Sequence, residues 1–559
     1  MKNRKFQKML SYVLVSVCAI GLLAGCGNTT ASKESNASKE SKSSSVEKTV
    51  EKSSETATSG TTVEETGITY PLSEKVTLRV ASIANASVTA SYKDLGETPF
   101  GQAWQEATGV DLEFEEYANG QAMNLMFASG DLPDIVFFPW SSYVGGAAKA
   151  IADKIIMPIN DYVEYAPDLM AVLESNEIFR KSSMTPSGDL IGFPFVRGDE
   201  YLQTSFGLII RTDFLEQVDM ELPNTPDDLY NVLKAFKEEL KIEAPFSTTI
   251  SNLLGYAGGN GLMTTPFGLP CISFYQENGK VQLGYYKKEY KDFLAYWKKL
   301  KDEGLLDKNY TVGVDARANL MNGISGVIMD TPGGGIGTMV STMKDDPTFD
   351  IAGFGPLVAK AGDTPMMTHY DNPITYSFAV ITPACKNVEA AMKFLNYGYT
   401  EEGHMLFNFG IEGVSYEMKD GYPTYTDLIM NNPDGLAPAQ VMPLYLQASN
   451  GSLPYVQDKA YWEQYAGAPQ QKQALTQWTK SDAPKYKIPQ ITVADEDNAE
   501  YLKLMGDIET YMKTMTIDYI NGDKDLAGFE TEYLKTMKEL GADRAIEIYQ
   551  KALDEFNAR

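Results

Sequence analysis

The run Asp134-Ile135-Val136-Phe137-Phe138-Pro139 predicts a short buried strand, because five neighbouring residues are apolar or a strand-ending proline. Alternating apolar residues predict two earlier strands, at 76–80 and 110–117. Between these strands, helical stretches at 100–108 and 121–129 each end at a glycine. A strand–helix–strand–helix–strand order predicts a parallel sheet with helices on its faces, and therefore an α/β fold.

The same pattern continues along the chain. The sequence predicts further strands at 208–210, 324–330 and 374–381, and helices at 226–240, 290–303 and 388–399. Near the C-terminus it predicts three helices, with breaks at Asn521-Gly522-Asp523 and at Gly541. We therefore expect an α/β body followed by a helical C-terminal region.

The N-terminus has the pattern of an export signal. Four basic residues precede an apolar run at 9–23, which is shorter than the ~20 residues of a membrane-spanning helix. The run ends in Leu23-Ala24-Gly25-Cys26, which resembles a bacterial lipoprotein box; an ordinary secretory cleavage site is the alternative. We expect residues 1–25 to be removed, Cys26 to carry lipid, and the protein to lie on the extracytoplasmic face of the bacterial membrane.

Residues 27–66 are rich in Ser, Thr, Lys and Glu and contain few large apolar side chains. Such a segment cannot bury enough apolar surface to offset the entropy of ordering it. We expect residues 26–66 to be a lipidated cysteine followed by a flexible linker, either a spacer or a low-complexity tail.

The composition excludes several classes of protein. The 559 residues have a formal net charge of −27, which argues against nucleic-acid binding and against a basic membrane-docking patch. With two histidines and four cysteines, the chain has no His- or Cys-rich metal motif and is not a disulfide-dense scaffold. After processing, Cys271 and Cys385 remain as two thiols that either pair or stay free.

The sequence does not indicate an enzyme. It has no Gly-x-Ser-x-Gly elbow and no His-Glu-x-x-His motif. The 75 acidic residues make chance carboxylate pairs inevitable, so a glycosidase pair cannot be argued from their presence. The turn Gly333-Gly334-Gly335-Ile336-Gly337 does not fit the dinucleotide-binding pattern.

Eight short motifs in order resemble the family 1 extracellular solute-binding proteins of ABC importers, in particular the large LplA-type lipoprotein branch. They lie at 128–135, 210–215, 222–226, 234–237, 302–306, 399–403, 410–416 and 541–544, followed by Tyr549-Gln550. The first reads Ala128-Ser129-Gly130-Asp131-Leu132-Pro133-Asp134-Ile135. The resemblance covers residues 70–556, nearly all of the predicted folded part.

The resemblance implies a two-lobed fold like that of type II periplasmic binding proteins, with crossing hinge strands. We expect a first lobe of residues 67–205 plus 372–416 and a second of 206–371 plus 417–559. Members of the family hold a sugar or oligosaccharide between the lobes and deliver it to a membrane permease, whose ATPase subunits are separate chains. The protein is then a monomer without a cofactor; a peptide ligand, a charged oligosaccharide or a surface glycosidase activity remain as alternatives.

One departure concerns calcium. Some large members of the family bind calcium through a loop with acidic and amide residues at alternate positions. The comparable stretch here, residues 181–189, contains one carboxylate, Asp189, so no metal is expected. Residues 521–525 fit a turn between helices better than an ion site.

Candidate ligand-binding residues follow from the chemistry of sugars, which present hydroxyls at the ring edge and C–H groups on the faces. Ligands of open α/β sheets bind beyond the carboxyl ends of the strands. Trp140 and Tyr143 follow the strand at 134–139 and could stack on a sugar, or pack in the core. Asp134 opens that strand and could bind a hydroxyl or cap a helix.

Further candidates lie near the two expected crossings. Arg211 could bind ligand or form a salt bridge with Asp213, and Asp330 faces the Gly-rich turn, which could be a plain tight turn. Glu412 and Tyr416 lie in a matched motif and could bind ligand or form the hinge. An Arg fork would suit a uronate. The remaining candidates are Phe195, Arg197, Tyr201, Tyr370 and Tyr376.

Overall fold

The computed structural model describes residues 67–448 and 451–559. The predicted signal peptide, the lipidation site Cys26 and the linker up to residue 66 lie outside the described residues. The strands, in chain order, are β1 Val76–Ile83, β2 Val110–Tyr117, β3 Ile135–Pro139, β4 Phe193–Arg197, β5 Gly207–Arg211, β6 Phe274–Glu277, β7 Lys280–Leu283, β8 Val327–Asp330, β9 Ile351–Phe354, β10 Ile374–Ile381, β11 Tyr416–Lys419, β12 Tyr422–Tyr425 and β13 Val456–Gln457.

The α-helices surround these strands. They are α1 Ala86–Thr89, α2 Pro99–Thr108, α3 Gly120–Ser129, α4 Gly146–Ala152, α5 Pro167–Ser175, α6 Glu177–Ser182, α7 Thr212–Gln217, α8 Pro226–Glu238, α9 Ile250–Asn252, α10 Tyr290–Asp302, α11 Ala316–Met321, α12 Thr338–Thr342, α13 Val388–Asn396, α14 Glu401–Phe409, α15 Asp427–Met430, α16 Pro438–Tyr445, α17 Lys459–Tyr465, α18 Pro469–Trp478, α19 Ala483–Tyr486, α20 Asp495–Asn521, α21 Leu534–Glu539 and α22 Ala542–Ala558.

The first sheet has six strands in the order β13-β4-β10-β3-β1-β2. The predicted parallel unit is confirmed, since β1 pairs in parallel with both β2 and β3. Strand β10 enters between β3 and β4 and is antiparallel to both. A large apolar core packs around this sheet and includes Trp104, whose ring stacks on Phe394 at a centroid distance of 4.3 Å.

The second sheet has three antiparallel strands in the order β8-β5-β9. Its central strand is buried on both faces: Leu208 and Ile210 belong to one core and Ile209 to another. Helix α18 packs against this sheet through Trp478, whose indole nitrogen donates to the Phe354 carbonyl at 3.1 Å. The two sheets therefore define two halves, each with its own core.

Several helices begin or end at the capping residues that the sequence predicts. Helix α8 begins with the capping box of Thr225 and Asp228 and with Pro226 in its first turn, as its sequence predicts. Helix α3 ends at Gly130 in the left-handed conformation. The C-terminal helices α20 and α22 are separated at Gly522 and Gly541, which confirms both predicted breaks.

Three segments connect the two sheets. The first, residues 198–206, joins β4 to β5 and contains a 3-10 turn at Glu200–Gln203. The second, residues 355–373, joins β9 to β10, and the third follows β13 and leads through α17 to α18. These three crossings bring distant parts of the sequence to the junction of the two halves.

The predicted lobe boundary at residue 416 needs a correction. Strand β13 pairs with β4, with Val456 opposite Val196, and Leu453 and Tyr455 lie in the core of the first sheet. Residues 453–457 therefore belong with the first sheet rather than with the second lobe. The division of the remaining chain into two lobes stays a prediction.

Cys271 and Cys385 are both buried free thiols in separate apolar clusters, so they do not pair. Burial raises the pKa of each thiol to about 12. Within the residues described, no helix combines the length and the hydropathy needed to cross a bilayer.

Candidate ligand-binding site

A cavity of about 340 Å³ lies between the carboxyl end of β8 and the segment that contains α15 and α16. Its volume falls in the range of small-molecule sites, roughly 300–1,000 Å³. One wall is the Gly-rich turn with the start of α12, and the opposite wall includes Asn431 and Pro438. Tyr465 and Gln471 also line the cavity. Helix α16, which supplies part of this wall, also packs on α1 and α2 of the first half.

The Gly-rich turn, Pro332–Gly337, is shaped by close packing. A Cβ atom on Gly333 would lie 2.2 Å from the Tyr465 ring, and one on Gly335 would lie 2.6 Å from the Asp330 carboxyl carbon. Both distances are too short for any side chain. The turn therefore brings bare backbone to the cavity wall because its neighbours leave no room for a Cβ.

Asp330, predicted as a site residue, ends β8 directly behind this turn and is largely buried. Arg317 binds it in a two-pronged ion pair: Nη2 lies 2.8 Å from Oδ1, and Nε donates to Oδ2. The Thr331 amide also donates to Oδ1 at 2.7 Å. The Arg317 side chain is 43% exposed, so the pair presents a cation rather than a carboxylate to solvent.

A second group of polar side chains lies where the crossings meet. We call Arg197, Ser205, His369, Asp371 and Lys487 the crossing cluster. Arg197 ends β4, and its Nη2 lies 3.0 Å from Asp371 Oδ2 on the second crossing. The Ser205 hydroxyl lies 3.4 Å from the same Asp371 oxygen, and the Ser205 amide donates to His369 Nδ1 at 3.3 Å.

The titratable groups of the crossing cluster shift one another's pKa values. Burial acts to raise the pKa of Asp371, but His369, Arg197 and Lys487 outweigh it, so the pKa lies below its usual value. Burial lowers the pKa of His369 and of Lys487, while Asp371 acts in the opposite direction on both. His369 is therefore neutral near pH 7, and Asp371 is ionised.

An aromatic pair lies next to the crossing cluster. The rings of Phe206 and Tyr256 are stacked, with centroids 3.5 Å apart and an interplanar angle of 12°. Phe206 is buried and Tyr256 is half-buried, and the His369 ring lies 5.8 Å from Tyr256. Burial, together with the charges of Asp371 and Asp330, raises the pKa of Tyr256. Tyr256 thus lies within electrostatic range of both carboxylates.

Three aromatic candidates are packed into cores. Trp140 is fully buried, its Nε1 donates to the Phe378 carbonyl at 3.2 Å, and its ring packs on Phe127. Phe195 and Tyr416 are also buried, the latter against Phe409. None of the three presents an open ring face in this structure, so we leave them out of the proposed site.

Three polar candidates are held by bonds inside the first or second half. The Arg211 guanidinium binds both Asp213 oxygens, at 2.7 and 2.6 Å, so the salt bridge that the sequence left open is present. Asp134 lies before the amino end of β3 and accepts from the Arg79 amide at 2.8 Å. The Tyr143 hydroxyl donates to Asp153 at 2.9 Å.

Four candidates are at least partly exposed. Tyr201 and Tyr370 lie on the first and second crossings and are half-buried. Tyr376 is 38% exposed, and its hydroxyl donates to the Ile491 carbonyl at 3.1 Å. Glu412 is exposed in the loop before β11. The structure therefore places Arg197 in the crossing cluster and Asp330 behind the Gly-rich turn. Tyr201 and Tyr370 lie on the crossings, beside the crossing cluster.

Sequence reasoning missed five residues that the structure places at the crossing cluster or near the cavity. They are Tyr256, Arg317, Asp371, Tyr465 and Lys487. Asp371 directly follows the predicted Tyr370, so extending that candidate by one residue would have found it. Tyr256 and Lys487 carry no local motif, because folding alone brings their segments to the junction.

Two sheets joined by three crossings, each sheet with its own core, define a two-lobed α/β protein. The chain belongs to the bacterial extracellular solute-binding protein family, whose profile matches residues 85–405. It is similar to Lipoprotein LipO of Bacillus subtilis (strain 168), at 28% identity over 65% of this chain and 72% of LipO.

A second relative matches over almost the whole of both chains. The fructooligosaccharide ABC transporter substrate-binding protein FusA of Streptococcus pneumoniae serotype 4 is 24% identical over 88% of this chain and 93% of FusA. Among solved structures, the alginate-binding protein AlgQ2 without calcium ion gives a TM-score of 0.69 at 23% identity, covering 87% of this chain and 99% of AlgQ2. The likeness to AlgQ2 confirms the predicted α/β two-lobed fold.

Proposed function

We propose that this protein is the lipid-anchored extracellular receptor of an ABC importer, which captures a sugar or oligosaccharide between its two lobes and delivers it to the permease. The observation that carries the proposal is the match to FusA over 88% of this chain and 93% of FusA. The cavity of about 340 Å³ supports it, because its volume suits a small saccharide.

The proposed mechanism is hinge closure about the three crossings. A ligand in the cavity would hydrogen-bond with the side-chain amide of Asn431 and the backbone of the Gly-rich turn. Outside the cavity lining, beside the crossing cluster, the half-buried Tyr256 ring stacks on Phe206 and offers a flat face for the C–H groups of a sugar. A buried sugar hydroxyl without a partner costs about 1–3 kcal/mol, so these polar groups would set specificity.

The anchor at Cys26 is proposed from the lipobox sequence, and the similarity to LipO supports it. A Cys26→Ser variant expressed in a Gram-positive host tests it. We expect the wild-type protein in the membrane fraction, labelled by radioactive palmitate, and the variant unlabelled. A wild-type protein recovered without lipid from the culture medium would contradict the anchor.

The binding function is tested by a thermal-shift screen of the protein starting at residue 27 against neutral and acidic oligosaccharides. A ligand that binds the folded state raises the melting temperature by mass action. We expect at least one saccharide to do so and to be recovered intact. Hydrolysis of that saccharide by the purified protein would contradict a pure receptor.

A further inference from the structure

We propose that the crossing cluster binds the carboxylate of an acidic saccharide through the guanidinium of Arg197, with the Lys487 side chain beside it. The inference rests on the proposed function, because it names the class of sugar that the receptor takes. It begins from hydrogen-bond donors that the folded chain leaves unpaired at the junction of its two halves.

Arg197 has one ion pair and one unpaired side. Its Nη2 binds Asp371, but its Nη1 is buried and has no hydrogen-bond partner within residues 67–448 and 451–559. The guanidinium carbon lies 5.3 Å from the Phe195 ring centroid, and the backbone amide donates to the Pro373 carbonyl at 2.7 Å. A buried donor without a partner costs about 1–3 kcal/mol, and more if charged, so native proteins pair such groups with water, an ion or a ligand.

Lys487 lies beside the same carboxylate, on the segment after α19. Burial lowers its pKa, and Asp371 partly opposes this shift. Within the described part of the chain, its ammonium forms no hydrogen bond or ion pair at contact distance, although Asp371 is within electrostatic range. Lys487 is thus a second basic side chain at the junction without a bonded partner among the described residues.

The charges of the cluster do not balance. Arg197 and Lys487 face one carboxylate, Asp371, while burial keeps His369 neutral. The other acids of the first crossing are engaged elsewhere: Asp199 accepts from the Tyr201 amide at 2.8 Å, and Glu200 is exposed. The junction therefore holds two basic side chains and one carboxylate in a chain whose net charge is −27. A cation removed from water is costly unless an anion accompanies it.

Arg211 provides an internal contrast. It is more deeply buried than Arg197, yet its donors reach both Asp213 oxygens and the Leu320 carbonyl at 3.0 Å. This is how the chain satisfies an arginine whose role is structural. Arg197 lacks such a set of acceptors, and a ligand carboxylate would supply it, since a guanidinium fork matches a carboxylate.

The stacked pair of Tyr256 and Phe206 explains why the anion would belong to a sugar. The half-buried Tyr256 ring lies 5.8 Å from His369 and within electrostatic range of Asp371, so it borders the crossing cluster. An aromatic face beside a cationic centre matches a uronic or sialic acid, which has a C–H face and a ring-borne carboxylate.

The test is calorimetric titration of the protein starting at residue 27 with matched pairs of saccharides. The pairs are trigalacturonate with galactotriose and sialyllactose with lactose, so that each acidic member has a neutral counterpart. We expect one acidic member to bind at least about tenfold more tightly than its counterpart, as a charge-assisted hydrogen bond predicts. Arg197→Gln should remove this preference, whereas Arg544→Gln, with the same change in charge at the exposed Glu500 pair, should keep it.

Two outcomes separate this inference from the proposed function. A wild-type protein that binds a neutral saccharide as tightly as its acidic counterpart, or an acidic preference that Arg197→Gln keeps, would overturn the acidic-sugar inference and leave the receptor function standing. Binding of no saccharide, acidic or neutral, would overturn both. If Arg197→Gln does not fold, Lys487→Met and the salt dependence of the wild-type protein give the same answer, because ionic strength weakens the binding of a charged ligand and spares that of a neutral one.

Discussion

Nη2 of Arg197 lies 3.0 Å from Oδ2 of Asp371, and this ion pair ties the first crossing between the two sheets to the second. Both side chains are more than two-thirds buried, and Ser205 and His369 lie against the same carboxylate. The pair therefore occupies the junction about which the two halves would move. Its strength bears on both the stability of the hinge and the charge available to a ligand.

The first prediction concerns Asp371→Asn. Removing the carboxylate leaves Arg197 without its partner, so we expect the free energy of unfolding at pH 7 to fall by about 3 kcal/mol. Because the pKa of Asp371 is lowered in the folded state, its contribution is complete above the usual pKa of about 3.9 and is lost as the pH falls below it. Urea denaturation of both proteins should show the difference narrow between pH 7 and pH 3.

The control for this prediction is Asp345→Asn, at an exposed position, which should change the free energy of unfolding by less than about 0.5 kcal/mol. A difference between wild type and Asp371→Asn that stays constant from pH 7 to pH 3 would contradict the assigned role of the carboxylate.

The second prediction concerns variants of Trp140, which distinguish a role in core packing from a role in ligand binding. Because its ring is fully buried, Trp140→Ala should lower the free energy of unfolding by about 3–5 kcal/mol. Trp140→Phe keeps most of the ring and should retain the wild-type affinity for saccharide in the thermal-shift screen. Loss of saccharide affinity in a well-folded Trp140→Phe variant would contradict this assignment and indicate that Trp140 contacts the ligand.

The contact between Gly207 and Trp478 is predicted to tolerate no side chain. A Cβ at position 207 would lie 2.1 Å from the indole ring, so Gly207→Ala should destabilise the second half by about 1–3 kcal/mol through overpacking. Gly255→Ala is the matched control, since its Cβ would meet nothing within 4 Å. Equal melting temperatures for the two variants would refute the close contact between α18 and β5.

Calcium is predicted to have no effect on stability. The Asp189 carboxylate already accepts from the Ser187 hydroxyl at 2.7 Å, and Arg559 Nη1 donates to the Thr185 carbonyl at 2.9 Å. A guanidinium at this loop would repel a divalent cation. At about 5 mM Ca²⁺, above the dissociation constants typical of extracellular calcium modules, the melting temperature should move by less than about 1 °C.

A rise of several degrees on adding Ca²⁺, reversed by EDTA, would contradict this prediction. A parallel titration with Mg²⁺ shows whether any shift reflects general charge screening of an acidic chain instead.

Features set by neighbouring residues could be predicted from the sequence. Thr225, Pro226 and Asp228 act within one turn of helix, and Gly130 and Gly522 end helices through their own backbone conformation. The parallel unit of β1, β2 and β3 followed from their order alone. The strand at 374–381 was predicted, but its place between β3 and β4 depends on pairings with residues far away in the chain.

The candidate site was harder to predict for the same reason. Trp140 lies at the expected strand end, yet its ring is buried. The ring packs on Phe127 and its Nε1 donates to the Phe378 carbonyl, and neither contact can be predicted from the local sequence. Tyr256 and Lys487 reach the junction only through tertiary folding. Arg197 was predicted because it lies at a crossing, although its unpaired Nη1 appears only in three dimensions.

The most direct test of the account is calorimetric titration of the tightest-binding saccharide into the wild-type protein and into Thr338→Trp, which would fill the cavity. Thr311→Trp, at an exposed position away from the cavity, is the control. We predict one saccharide bound per protein and recovered intact, with binding lost in Thr338→Trp and kept in Thr311→Trp. A saccharide that binds Thr338→Trp as tightly as the wild type, or the absence of any saccharide that binds, would contradict capture of the ligand in this cavity.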